Sequence, residues 1–202
     1  MNYEYEQNLI SKGYKLIGGI DEAGRGPLAG PLVAGAVILD SQNTEGLSEL
    51  KDSKLMTEKK RDIAFDLIRE NALSWAVGVA SNKEIDKYGL SYANKIAMKR
   101  AWKHLGAKPD FILSDYIAKL SFETPFELII KGDRKILTIA AASIIAKVFR
   151  DRMMLAFARK YPEYEFEKHK GYGTKIHIEK INSIGPCEIH RRSFGPVKAK
   201  LF

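Results

Sequence analysis

Apolar and polar positions follow two rhythms along this chain. Residues 15–21 form a short apolar run containing glycines, and residues 31–39 form a second one rich in Val, Ala and Ile. Both read as strands. The stretch between them is too short for a crossover helix, which predicts an antiparallel pair. Residues 47–56 are a polar loop. From Thr57 the spacing turns helical, with Glu58 in the first turn and Ile63, Ala64, Leu67 and Ile68 at helical intervals. Residues 73–80 alternate as a third strand, and residues 91–105 return to helical spacing before Gly106 and Pro109.

Further on, Phe111-Ile112-Leu113 begins a short strand that reaches Asp115, and residues 126–130 form another, followed by Lys131-Gly132-Asp133. A long helix is predicted over 138–161, stopped by Pro162. The small residues in its first half permit close packing on a sheet. Thr174 caps a last helix running to about residue 183, ahead of Gly185-Pro186. Antiparallel strands first, then strands separated by helices, predict an α/β fold. Its mixed sheet is covered by helices in three layers. No repeat, low-complexity tract or linker interrupts the chain, so residues 1–202 read as one domain.

Composition narrows the class. Of 202 residues, 45% are hydrophobic and 29% charged, as in an ordinary globular chain. The net charge of +8 favours a polyanionic partner such as nucleic acid. Cys187 is the only cysteine, which excludes a disulfide framework and a thiolate zinc site within the chain. His104, His169, His177 and His190 lack the spacing of a zinc helix. There is no basic-then-apolar leader and no apolar run near the ~20 residues that span a bilayer. A soluble, cytoplasmic monomer is expected.

The chemistry gathers in acids. Asp21, Asp115 and Asp133 each follow an apolar strand-like run, and Glu22 doubles the first. Ligands collect outside strand ends in open α/β sheets. Asp21 and Glu22 could not share a face within a strand, so the chain is expected to turn there and bring them together. Oxygen-only ligands suit Mg²⁺ or Mn²⁺ rather than zinc. Gly24-Arg25-Gly26-Pro27-Leu28-Ala29 matches a dinucleotide fingerprint, but that motif must open a helix, and Pro27 and Pro31 argue against one. A rigid turn with backbone groups facing a ligand is the better reading.

Three basic segments remain. His169-Lys170-Gly171-Tyr172-Gly173-Thr174-Lys175 could set a phosphate on a helix N-terminus and offer the Tyr172 ring to a base or sugar, or could be a solvated capping loop. His190-Arg191-Arg192-Ser193-Phe194 and Lys51-Asp52-Ser53-Lys54 could each touch phosphate or be solvated charge. No Gly-Xaa-Ser-Xaa-Gly elbow and no Cys/His pairing indicates a side-chain nucleophile.

Taken in order, these blocks resemble the ribonuclease HII family of type 2 ribonucleases H. They are the eleven residues from Asp21 to Pro31, Asp52-Ser53-Lys54, Lys131-Gly132-Asp133, the run from Ala141 to Lys147, His169-Lys170-Gly171-Tyr172, and the cluster from His190 to Phe194. The resemblance implies an RNase H-like fold with a mixed five-stranded sheet and a helical C-terminal part. It implies hydrolysis on the 5′ side of a ribonucleotide in RNA–DNA hybrids or ribonucleotide-containing duplex DNA, leaving 3′-hydroxyl and 5′-phosphate ends. Asp21, Glu22, Asp115 and Asp133 match the family's catalytic metal ligands for two Mg²⁺ or Mn²⁺ ions, about 4 Å apart in such sites. Gly24, Arg25 and Gly26 would contact the ribose 2′-hydroxyl, and Tyr172 would pack on the next sugar. Ser53, Lys54, Ser143, Lys147, Lys170 and Arg191 complete the implied substrate contacts. Tyr116 stands where the family usually has glycine.

Rival readings are another nuclease of this fold, such as a junction resolvase, and a non-catalytic nucleic-acid-binding module. The ending Lys200-Leu201-Phe202 is faintly similar to the close of a sliding-clamp binding tail, but three residues are too few to carry that reading over an arbitrary end.

Overall fold

A computed structural model describes residues 3–44, 46, 47, 50, 53 and 56–200. Five strands form one sheet in the order β3-β2-β1-β4-β5. β1 (Ile17–Ala23), β2 (Leu32–Leu39) and β3 (Ala72–Ala80) are joined antiparallel, as the short first connection predicts. β4 (Phe111–Asp115) lies parallel to β1, and β5 (Phe126–Ile129) parallel to β4. The sheet is therefore mixed, with β1 at its centre.

Alternation along β1 and β2 sends one set of side chains to each layer. Ile20, Ala34, Ala36 and Ile38 pack with Ala93, Ala97 and Met98 of α4 (Leu90–His104). Val37 and Leu39 pack instead with Phe65 and Ile68 of α2 (Glu58–Asn71) and with Ala141, Ala142 and Ile145 of α5 (Leu137–Lys160). Glycines let the helices rest directly on the strands. A Cβ on Gly19 would stand 2.2 Å from the Thr138 carbonyl carbon, and one on Gly35 2.3 Å from the Ala142 carbonyl oxygen. On the other face, a Cβ on Gly78 would stand 2.0 Å from the Ala97 carbonyl oxygen. The small-residue half of α5 thus lies against the sheet, as its composition predicts.

Three elements differ from expectation. β1 continues through Asp21 and Glu22 to Ala23 instead of ending at Asp21. The residues before it form α1 (Glu4–Ser11), a two-turn helix whose N-cap, Tyr3, offers no capping side chain to announce it in the sequence. α3 (Asn82–Tyr88) was also unpredicted, although Ser81 and Glu84 form its capping box.

Helix α1 has a specific purpose. The buried Glu6 carboxylate accepts from the Thr138 main-chain N–H and hydroxyl, each at 2.9 Å, and so satisfies the first turn of α5. Glu6→Ala is expected to lower the unfolding free energy by about 2 kcal/mol in urea titrations. Glu6→Gln, which keeps an acceptor, is expected to lose less.

Past the sheet, the outer half of α5 holds the C-terminal part. Met154 and Ala158 pack with Ala29, Tyr164, Phe166 and Ile189. This docks the 3-10 turn Pro162–Tyr164, α6 (Phe166–His169), α7 (Lys175–Ile184) and α8 (Gly195–Lys198) beside the β1–β2 connection. No helix among the described residues is long and apolar enough to cross a membrane.

Candidate active site

Asp21 and Glu22 do not converge through a turn. They sit inside β1, opposite Gly35 and Ala34, and point to opposite faces of the sheet. The Asp21 carboxylate is met by Ser143 of α5, and that of Glu22 by Asn94 of α4. Each is tied electrostatically to Asp115, at the end of the adjacent β4, so three acids share one edge. Asp115 Oδ1 accepts from the Gly132 N–H at 2.9 Å. Asp133 follows Gly132 in the 3-10 turn Gly132–Arg134 and is buried. Tyr116 is exposed beside Asp115.

This edge is electrostatically loaded. Burial, then Glu22, then Asp115 hold the Asp21 carboxyl well above its ordinary value, with Ser143 opposing. Burial and Asp115 raise Glu22, against Arg25 and Asn94. The Arg25 Nη1 lies 3.4 Å from Glu22 Oε1, and its side chain is otherwise largely exposed.

The turn after β1 is built by two buried arginines. Arg191 Nε donates to the Gly30 carbonyl at 3.0 Å, Nη1 to Arg25 at 3.0 Å, and Nη2 to Gly24 at 2.6 Å and Pro31 at 3.2 Å. Arg150 donates to the carbonyls of Pro31, Lys170 and Ala29. Gly24, at φ +98, is required twice, because a Cβ there would stand 2.2 Å from Arg150 Nε. Burial and the neighbouring Arg150 push the Arg191 pKa down to about 9. Arg191, expected as a substrate contact, has its guanidinium fully buried and turned inward on the turn's own carbonyls.

Ser53 Oγ lies 2.9 Å from Ser143 Oγ, linking the polar loop to the side chain that meets Asp21. Arg61 holds that loop by donating to the Ser53 carbonyl at 2.9 Å and to the Met56 carbonyl. Lys54 lies outside the described residues. Lys147 Nζ pairs with Asp151 at 2.8 Å and stands 5.3 Å from the Tyr172 ring centroid. Lys170 Nζ donates to the Glu167 carbonyl and pairs with Glu58. Tyr172 is 40% exposed, and its Cε1 is the nearest atom to where a Gly26 Cβ would point, at 4.0 Å. Sequence reasoning missed Asn94, Arg150 and Arg61. Only Asn94 left a signal, as a polar residue on α4's buried Ala93–Ala97–Ala101 stripe.

The acids do not form a closed cage: among the described residues, no group of three or more His, Cys, Asp or Glu stands ready to hold a metal ion. Their chemistry nevertheless fits a divalent cation. The donors are all hard oxygens. Glu22 Oε2 is buried and has no hydrogen-bond partner among the described residues. The like charge that raises Asp21 is what such a cation would relieve.

The family described as Ribonuclease HII matches residues 18–197. The Ribonuclease HII of Endomicrobium trichonymphae is 50% identical over 198 residues, covering 96% of this chain and 92% of its own. That of Caldicellulosiruptor saccharolyticus is 47% identical over 192 residues, covering 95% and 93%. Among solved structures, ribonuclease H2 from Pyrococcus horikoshii OT3 superposes with a TM-score of 0.78 at 30% identity, over 92% of this chain and 96% of that one. RNase HII in the PCNA:RNase HII complex from Archaeoglobus fulgidus gives 0.73 at 25% identity, over 90% and 96%. The five-stranded sheet and its flanking helices are the RNase H-like fold. With a match running from β1 into α8, and relatives alike over most of their own length, the chain belongs to the ribonuclease HII family.

Proposed function

We propose that this chain is a metal-dependent endoribonuclease that cuts duplexes on the 5′ side of a ribonucleotide. Its substrates are RNA–DNA hybrids and duplex DNA carrying a single ribonucleotide. Residues 1–202 act as one catalytic domain. The observation that supports the reading is the electrostatic coupling of buried Asp21 and Glu22 on β1 to Asp115 at the end of the neighbouring β4, beside the Arg191-held turn and Tyr172. A binding module alone has no use for buried acids that repel one another.

Asp21, Glu22, Asp115 and Asp133 would hold two Mg²⁺ or Mn²⁺ ions. When bound, such ions clamp the scissile phosphate, make a water nucleophilic and offset charge on the leaving 3′ oxygen. The chain's own residues do the rest. Ser143 and Asn94 orient the two carboxylates of β1. The Gly24–Gly26 backbone, with its carbonyls fixed by Arg191, meets the 2′-hydroxyl and admits ribose. Tyr172 packs on the following sugar. Arg25, Ser53, Lys54, Lys147 and Lys170 flank the phosphates, and the net charge of +8 draws the duplex in. The water oxygen bonds to phosphorus as the bond to the 3′ oxygen breaks, leaving 3′-hydroxyl and 5′-phosphate ends.

The activity suits ribonucleotide excision and RNA-primer removal in the cytoplasm. Contact with a sliding clamp is part of this reading. It is supported by the PCNA complex of the Archaeoglobus relative and by the ending Lys200-Leu201-Phe202, whose last two residues lie outside the described ones.

Duplex DNA with one ribonucleotide tests the proposal. Cutting 5′ of that ribonucleotide is expected with Mg²⁺ or Mn²⁺, none with chelator, and none on the all-DNA duplex. Failure to cut with either metal overturns the reading, and cutting of branched all-DNA instead supports a resolvase.

A further inference from the structure

His169, His177 and His190, which show no metal-binding spacing in sequence, come together with Cys187 behind Tyr172. His177 and His190 are fully buried. Their hydrogen bonds fix where each proton sits. The Cys187 main-chain N–H can only donate, and it donates to His190 Nδ1 at 2.9 Å. A neutral His190 therefore carries its hydrogen on Nε2. That atom stands 3.0 Å from His177 Nε2, which must accept. His177 then carries its hydrogen on Nδ1, 2.9 Å from the Tyr172 carbonyl oxygen, which can only accept.

His169 is ordered in the same way. The Gly171 N–H donates to its Nδ1 at 3.2 Å, and its Nε2 donates to the Tyr164 carbonyl at 2.9 Å. The His169 and His177 rings stack with centroids 4.3 Å apart. Burial keeps the pair at the centre neutral, with His177 and His190 pushed down to about 4. The histidines therefore hold the chain both before and after the Tyr172 α-carbon, through Gly171 N–H and Tyr172 C=O.

We propose that His190 and His177 form a proton-ordered relay that fixes the Tyr172 main chain and so aims its ring at the substrate sugar. Both are positioning residues for ribonucleotide recognition. The relay rests on the sugar-packing role assigned to Tyr172 under the proposed function.

Two substitutions at His177 separate its two bonds. An asparagine amide occupies the place of Nδ1 and a glutamine amide that of Nε2. His177→Asn places an amide donor at the Tyr172 carbonyl, whereas His177→Gln places its amide oxygen to accept from His190 and leaves no donor in the position of Nδ1. Both remove the ring, so thermal melts report their similar loss of packing. The discriminating readout is kcat/KM on single-ribonucleotide duplex divided by kcat/KM on uniform RNA–DNA hybrid. His177→Gln is expected to lower this ratio about tenfold and His177→Asn to hold it within about twofold. Nitrogen NMR of the wild-type imidazoles is expected to show His190 bare at Nδ1 and His177 bare at Nε2. Equal ratios in the two variants, or either tautomer reversed, overturn the relay. Tyr172→Ala in the same assay distinguishes the failures. An unchanged ratio there removes the sugar-packing role and the relay's purpose with it. A lowered ratio alongside equal His177 variants removes the relay alone.

Discussion

Asp21→Asn is expected to lower cleavage about 1,000-fold or more, since several kcal/mol of charge stabilisation at the scissile phosphate depend on an anionic oxygen there. The same substitution is expected to flatten the dependence of stability on pH. Asp21 is 3% exposed, and burial, Glu22 and Asp115 together raise its pKa. The folded chain then binds this proton more tightly than the unfolded chain does. Stability of the metal-free enzyme is therefore at its full value below the ordinary aspartate range and falls as pH rises through the raised pKa. Asparagine has no proton to lose and escapes that fall. A divalent cation that binds the ionised carboxylate reverses it in the wild type. Thermal melts with and without Mg²⁺ check both signs: the metal-induced rise in Tm should grow with pH in the wild type and be much smaller in Asp21→Asn. Equal metal responses in the two proteins would remove Asp21 from the metal-binding set.

This balance between stability and chemistry explains what the sequence conveys about the site. The acids are legible because buried carboxylates near strand ends have few structural uses. Their arrangement is not. A doublet of charges looks like the end of a strand, yet β1 runs through both. Each carboxylate finds a polar neighbour on its own face, Ser143 on α5 or Asn94 on α4, and Arg25 sits beside Glu22. Ser143 and Asn94 come from helices far along the chain, so nothing near Asp21 and Glu22 in sequence announces the pairing. Helix α5 itself is legible almost to the residue, because its small residues and Pro162 are local signals. Helix α1 is not, since its value lies in a bond from Glu6 to Thr138, 132 residues away. Arg191 misleads, and Arg150 escapes notice, for a related reason. Arginine in sequence suggests a solvated or phosphate-facing cation, and only the fold reveals carbonyls clustered tightly enough to bury one.

Arg191→Lys is expected to separate the turn's architecture from the positive charge at that position. The guanidinium reaches four carbonyls, those of Gly24, Arg25, Gly30 and Pro31, through three nitrogens in one plane. A lysine ammonium has a single nitrogen and cannot span them. Buried carbonyls left without donors cost about 1–3 kcal/mol each, so a loss above about 3 kcal/mol in urea unfolding is expected. Arg150 still holds Pro31, Ala29 and Lys170, so the fold should survive while the segment from Gly24 to Gly26 loosens. Displacement of that backbone by even an ångström should lower cleavage at a single ribonucleotide about 100-fold. Arg192→Lys is the matched control. Among the described residues only its main-chain N–H is engaged, with Asp86 at 2.9 Å, and its side chain is exposed, so near wild-type melting and cleavage are expected. Should Arg191→Lys melt and cut like that control, retained charge would suffice at this position, and the turn would owe its shape to Arg150 and its glycines instead.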